Sequence, residues 1–112
     1  MIFEALWESA RRGELLLTED GLCHYHFRRD GQITLGEIIV LPEMHRCGIG
    51  SEMLQAVIRR CSGATSVFAK CPVDLDANTW YEAKGFVLER VEGTRTGRQL
   101  NCWRLVLNQT GG

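Results

Sequence analysis

Residues 45–51, His45-Arg46-Cys47-Gly48-Ile49-Gly50-Ser51, combine two spaced glycines with a cation and a hydroxyl, the residue types that hold a phosphate. An apolar, strand-like run over 33–40 precedes them, and an amphipathic segment over 53–58 that reads as helix follows. Glycines let backbone come close to a ligand. The first N–H groups of a helix have no intrahelical partner and point along its axis, and the helix dipole adds partial positive charge at the same end. A purely structural strand-to-helix turn would not need two spaced glycines with Ser51 in the first helical turn.

The elements that must position this loop follow from periodicity and turn chemistry. Phe3, Leu6, Trp7 and Ala10 recur at helical spacing, so residues 2–12 read as a helix that Gly13 ends. Strands are expected over 14–18, 22–29 and 32–40, separated by the turn signals Asp20-Gly21 and Asp30-Gly31. Pro42 breaks the third strand. A helix over 48–60 carries an apolar stripe of Ile49, Met53, Leu54, Val57, Ile58 and Cys61, and Ser62-Gly63 stops it. A strand over 66–71 should then run parallel to 32–40. Asp74 is expected to N-cap a helix over 75–84 that ends at Gly85. Strands over 86–91 and 100–107 close the chain, and residues 109–112 read as frayed. The order α-β-β-β-α-β-α-β-β implies an α/β (α+β) mixed sheet with helices on its faces.

With 112 residues, 45% of them hydrophobic, the chain fits one domain over 1–112 with a substantial core. A net charge of −1 argues against a nucleic-acid binder acting through a basic surface. No apolar run approaches the ~20 residues of a membrane span, and the N-terminus does not read as a secretory signal. Five cysteines, an odd number without a C-x-x-C pair, argue against a disulfide framework or a zinc knuckle and for a reducing cytoplasm.

At this point the chain resembles the GNAT superfamily of N-acetyltransferases. That family's cofactor loop runs Arg/Gln-x-x-Gly-x-Gly/Ala after a strand and at a helix start. Here Cys47-Gly48-Ile49-Gly50 fit it, His45 departs from its first position, and Arg46 beside His45 is placed to supply a guanidinium. The second hallmark, a Tyr-Glu-Lys-x-Gly-Phe-like helix end, is matched by Trp80-Tyr81-Glu82-Ala83-Lys84-Gly85-Phe86. Against that pattern the chain reads as a short member, in which no counterpart of the family's first strand and one N-terminal helix is expected. The resemblance implies that N–H groups of Arg46, Cys47, Gly48, Ile49, Gly50 and Ser51 cradle the pyrophosphate of acetyl-CoA. It also implies that Ile39 and Val40 offer backbone to the pantetheine arm, which inserts between two splayed strands as in β-augmentation. Asn78 would hydrogen-bond the same arm, with a surface role as the alternative. No metal is implied.

Within that frame Tyr81 is the candidate catalytic acid. A phenol, pKa near 10, holds a proton at neutral pH and can give it to a departing thiolate; the competing role is a core aromatic. Glu37 reads equally as the general base for an acceptor ammonium or as an exposed sheet residue, with Glu43 behind it. His24 and His26 share one strand face and, with no third ligand evident, read as half-exposed histidines rather than a metal site. Cys47, beside helix N–H groups, reads as a bystander, Trp80 as core, Lys84 as a solvated last-turn charge, and Arg95, Arg98 and Arg104 as solvated charges. The implied reaction is acetyl transfer to a primary amine, on a small molecule, a peptide or a protein, by direct attack in a ternary complex. The alternative is a non-catalytic acyl-CoA-binding or protein-interaction domain of the same fold. Homodimerisation is compatible with the edges that strands 86–91 and 99–107 are expected to present.

Overall fold

A computed structural model describes residues 2–107, apart from the side chains at 2, 3, 5, 6 and 9. The chain runs α1 (Ile2–Arg11), β1 (Leu15–Leu17), β2 (Gly21–Phe27), β3 (Gln32–Val40), a 3-10 turn (Pro42–Met44), α2 (Ile49–Arg60), β4 (Ser66–Pro72), α3 (Ala77–Ala83), β5 (Val87–Gly93) and β6 (Gln99–Val106). Apart from the 3-10 turn, this is the order expected from the sequence. The side chains of Phe3 and Leu6, and residues 109–112, lie outside what is described. Trp7, expected on the apolar stripe of α1, is 57% exposed.

The six strands form one sheet in the order β1-β2-β3-β4-β6-β5. β3 and β4 are parallel and all other neighbours antiparallel, as the strand–helix–strand connection requires. β6 lies between β4 and β5, so the edges are β1 and β5; the expectation that 99–107 presents an edge is corrected. Its side chains explain the place: Cys102 and Trp103 are buried, which an edge strand would not offer them.

Both α2 and α3 pack on one face of the sheet. Met53, Leu54 and Val57 from α2 and Tyr81 from α3 share a core with Cys23, Ile33, Leu35, Val67, Ala69 and Trp103. The opposite face carries Phe68, with the guanidinium groups of Arg90 and Arg104 over its ring, 5.6 and 5.0 Å from the centroid. Arg104 also pairs with Glu89 and donates to Gln32 Oε1 at 3.0 Å. The expected free solvation of Arg104 is therefore corrected: its guanidinium lies over an aromatic ring within a bonded network.

Two irregularities position everything that follows. The first is a parting of the central strands. β3 and β4 pair from Gln32↔Ser66 to Leu35↔Ala69 and no further. Beyond that point β3 pairs only with β2, as far as Gly21↔Val40, and β4 only with β6, as far as Pro72↔Leu100. The second is a β-bulge between β2 and β3. Cys23 pairs with Ile38 but Tyr25 pairs with Leu35, so β3 carries an extra residue across Gly36 and Glu37. At Gly36 a Cβ would sit 3.0 Å from His24 Nδ1, so this glycine permits the close approach of His24.

Helix α3 begins later than expected, at Ala77 with Asp76 as its N-cap and no side-chain capping bond. Asp74 does not cap it. The reason is Asn78, whose Nδ2 donates to the carbonyls of Pro72 and Leu75, each at 2.8 Å, and so holds the preceding segment as a turn.

Candidate active site

The loop 45–51 lies where β3 ends and α2 begins. Its backbone is left-handed at two residues, Arg46 with φ 68° and Gly48 with φ 79°. The second suits glycine; the first is a non-glycine residue in a costly conformation, of the sort that gathers at ligand sites. The first intrahelical bond of α2 runs from Glu52 N–H to the Gly48 carbonyl at 3.0 Å. Gly48 caps the helix without a side-chain bond. The N–H groups of Arg46, Gly48, Ile49, Gly50 and Ser51 therefore have no backbone partner among the described residues. Cys47 is the exception within the expected cradle, because its N–H donates to the Met44 carbonyl at 3.3 Å. An array of free N–H groups at a helix N-terminus fits an anionic diphosphate. Gly50 has a packing reason as well: a Cβ there would meet the Trp80 ring at 3.4 Å.

The backbone facing the parted strands can be assigned from the register. Leu41 N–H bonds the Asp20 carbonyl at 2.8 Å, and Gly21 O accepts from Thr18 N–H on the β1 side. Bonded and non-bonded pairs alternate in an antiparallel ladder. Ile39 thus commits its N–H and C=O to β2, opposite Leu22, while Ile38 and Val40 direct theirs toward the gap. Ile39, expected to offer backbone to an arm, therefore has none free on the gap side, whereas Val40 and Ile38, the second not singled out from the sequence, turn theirs there. The Ile39 side chain is 49% exposed on the outer face.

Tyr81 stands beneath this gap, on the helix-covered face. Its ring stacks on Trp103 at a centroid distance of 6.2 Å and meets Trp80 and Phe86 edge-on at 5.1 and 5.2 Å. The residue is only 7% exposed. Its hydroxyl has no hydrogen-bond partner among the described residues, and no buried side-chain N or O atom is both shut off and unpartnered; the hydroxyl therefore keeps contact with solvent. Burial pushes the phenol up to about 12, and the thiols of Cys71 on β4 and Cys23 on β2 act in the same direction. The group thus keeps its proton across the whole physiological range.

Glu37, in the bulge, is exposed, and no described residue pairs with it. Glu43, in the 3-10 turn, is exposed too. His26 Nδ1 lies 3.2 Å from Glu14 Oε1 at the β1 edge, and no cluster of three or more His, Cys, Asp or Glu able to hold a metal occurs among the described residues. Cys47 is exposed, while Cys23, Cys61, Cys71 and Cys102 are buried free thiols.

Asn78 is already saturated by protein. Besides its two 2.8 Å donor contacts, its Oδ1 accepts from Asn101 Nδ2 at 3.0 Å and from Trp103 Nε1 at 2.9 Å. It ties the end of β4, the start of α3 and β6 together, which leaves its amide no free donor for an arm. The amide-to-indole bond could not be found from sequence, because the partners lie 25 residues apart. Replacing Asn78 with Ala is expected to cost roughly 2–4 kcal/mol, from several lost bonds and polar groups left unpaired. Urea unfolding measures this, and a loss below about 0.5 kcal/mol would contradict the role.

Burial also raises Cys23 to about 11. Both Cys23 and Tyr81 have folded values above their unfolded ones, so their contribution to stability is complete below about pH 9 and is lost as pH rises through the folded values. The melting temperature should therefore fall between pH 9 and 12, with each group accounting for roughly 2–3 kcal/mol. A Cys23→Ala variant should show a shallower fall between pH 9 and 11; an unchanged slope would discount the thiol.

Residues 7–88 match the family model described as an acetyltransferase (GNAT) domain. Among solved structures, the chain is similar to the ribosomal-protein-S18-alanine N-acetyltransferase from Escherichia coli, with a TM-score of 0.73 and 20% identity, covering 96% of this chain and 79% of that one. It is similar to Ard1 from Thermoplasma volcanium, with a TM-score of 0.71 and 18% identity over 80% of this chain, and it spans 64% of that protein. A chain of the NatC complex, solved bound to Gag peptide and CoA, matches with a TM-score of 0.63 and 16% identity over 79% of this chain, which spans 60% of that one. At these identities the structural likenesses establish the fold. No curated protein sequence matches the chain.

Proposed function

The chain belongs to the GNAT acetyltransferase family, and from that premise we propose that residues 1–112 form one domain that transfers an acetyl group from acetyl-CoA to a primary amine in a ternary complex. The observation that carries this is the parting of β3 from β4 beyond Leu35↔Ala69, next to a helix N-terminus with free N–H groups. Strand backbone left unpaired at Ile38 and at the Val40 N–H suits an amide-bearing arm, as in β-strand addition. The loop's N–H groups, with Ser51 beside them, suit a diphosphate.

In this reading a β3 N–H polarises the thioester carbonyl as the amine attacks it. The attack forms the amide bond and breaks the carbon–sulfur bond. Tyr81 gives its proton to the departing thiolate, and Glu37, directly or through water, takes the proton the amine loses. Holding both reactants side by side supplies much of the rate. The acceptor class is an amine of a small molecule, a peptide or a protein, and the buried free thiols support a reducing, cytoplasmic setting. No described helix is long and apolar enough to cross a membrane.

The test is to titrate acetyl-CoA and free CoA against the purified protein while following its melting temperature, then to screen amines for thiol release. Saturable stabilisation with amine-dependent thiol release is expected. Absence of a shift with either ligand would overturn the reading. A shift without release for any amine would instead favour a binding domain without turnover.

A further inference from the structure

The first residue of the loop makes a contact that sequence did not suggest. His45 Nε2 lies 2.9 Å from the Val40 carbonyl oxygen. A carbonyl only accepts, so the ring presents Nε2–H to it. The ladder alternation described above turns that carbonyl toward the gap, where β4 would have bonded it had the strands stayed together. His45 therefore satisfies the last gap-facing acceptor of β3 from within the loop. Arg46, in its left-handed conformation, follows at once, so the loop leaves this anchor by a sharp turn toward the free N–H groups of α2.

We propose that His45 is a positioning residue for the cofactor. Its ring pins the loop to the end of β3, fixes the distance between the diphosphate-binding N–H groups and the strand backbone, and reserves the Val40 carbonyl, so that the arm is left the Ile38 groups and the Val40 N–H. This rests on the acyl-CoA reading above. The pin acts before chemistry, so its loss should weaken acetyl-CoA binding far more than turnover. It also depends on reach: the Nε2 of glutamine extends as far as that of histidine, whereas the Nδ2 of asparagine stops about one bond short.

The experiment compares wild type with His45→Ala, His45→Gln and His45→Asn, reading KM for acetyl-CoA against kcat, with Kd for CoA from calorimetry. The Ala variant should raise KM and Kd roughly five- to tenfold, while kcat at saturation changes by less than about twofold. Gln should return KM to within about twofold of wild type, and Asn should behave like Ala. An unchanged KM in the Ala variant, or equal behaviour of Gln and Asn, would overturn the pin while leaving the acyltransferase reading intact. Failure of the wild type itself to bind acetyl-CoA would overturn both, which keeps the two failures distinguishable.

Discussion

Tyr81→Phe is expected to lower kcat for thiol release by about 10²- to 10³-fold, with KM for acetyl-CoA and the melting temperature close to wild type. The substitution removes one oxygen and keeps the ring on Trp103 and between Trp80 and Phe86, so the packing that holds α3 survives. Because the hydroxyl has no protein partner among the described residues, its removal leaves no bonding group stranded. What it takes away is the proton donor at the thiolate. The phenol, held at about 12 by burial, is protonated at every pH at which an amine acceptor would be assayed, so Tyr81 should not itself produce an inflection between pH 6 and 9. Full turnover in the Phe variant would remove Tyr81 from the chemistry and leave it as a core aromatic.

Gly48→Glu should abolish measurable stabilisation by CoA, with Kd raised at least about 100-fold. Nothing lies within 4 Å of a Cβ at this position, so the side chain clashes with no neighbour. It does adopt a left-handed φ of 79°, at roughly 1–2 kcal/mol, and it sets a carboxylate before the N–H groups of Ile49, Gly50 and Ser51. A carboxylate at a helix N-terminus is itself favourable, which offsets part of the strain and keeps the protein folded. The acid would hold the place proposed for the diphosphate and repel it. Gly48→Ala separates the two effects: it carries the strain without the charge, and should melt earlier while retaining most of its affinity. If Glu and Ala bind CoA alike, the loop does not hold a diphosphate.

Most of the fold was legible because local patterns and tertiary demands agree. β3 spans 32–40 as expected, and the α2 stripe of Met53, Leu54 and Val57 is buried. That the N–H groups of Gly48, Ile49, Gly50 and Ser51 have no backbone partner among the described residues follows from helix-end chemistry. What could not be read depended on partners distant in sequence. Asp74 has the chemistry of a cap, but Asn78, bonded to Trp103, moves the helix start to Ala77. The choice between Ile38 and Ile39 as gap-facing backbone turns on hydrogen-bond parity set by Leu41 and Asp20, about which side-chain types say nothing. The same holds for β6, whose interior place in the sheet follows from pairing with both β4 and β5.

The extra residue in β3 acts as a frameshift in the in–out code of the strand. Before it, Ile33 and Leu35 face the helices; after it, Ile38 and Val40 do, and Ile39 is turned out. In an unbroken alternation the inward positions would fall to Glu37 and Ile39 instead, lodging a carboxylate beneath α2 without a partner. The bulge is thus what keeps Ile38 and Val40 on the helix side although two residues, Gly36 and Glu37, separate Ile38 from Leu35. A substitution at Glu37 changes only chemistry, and a one-residue deletion there would remove the bulge while leaving Ile38 and Val40 on the helix side, opposite the same residues of β2.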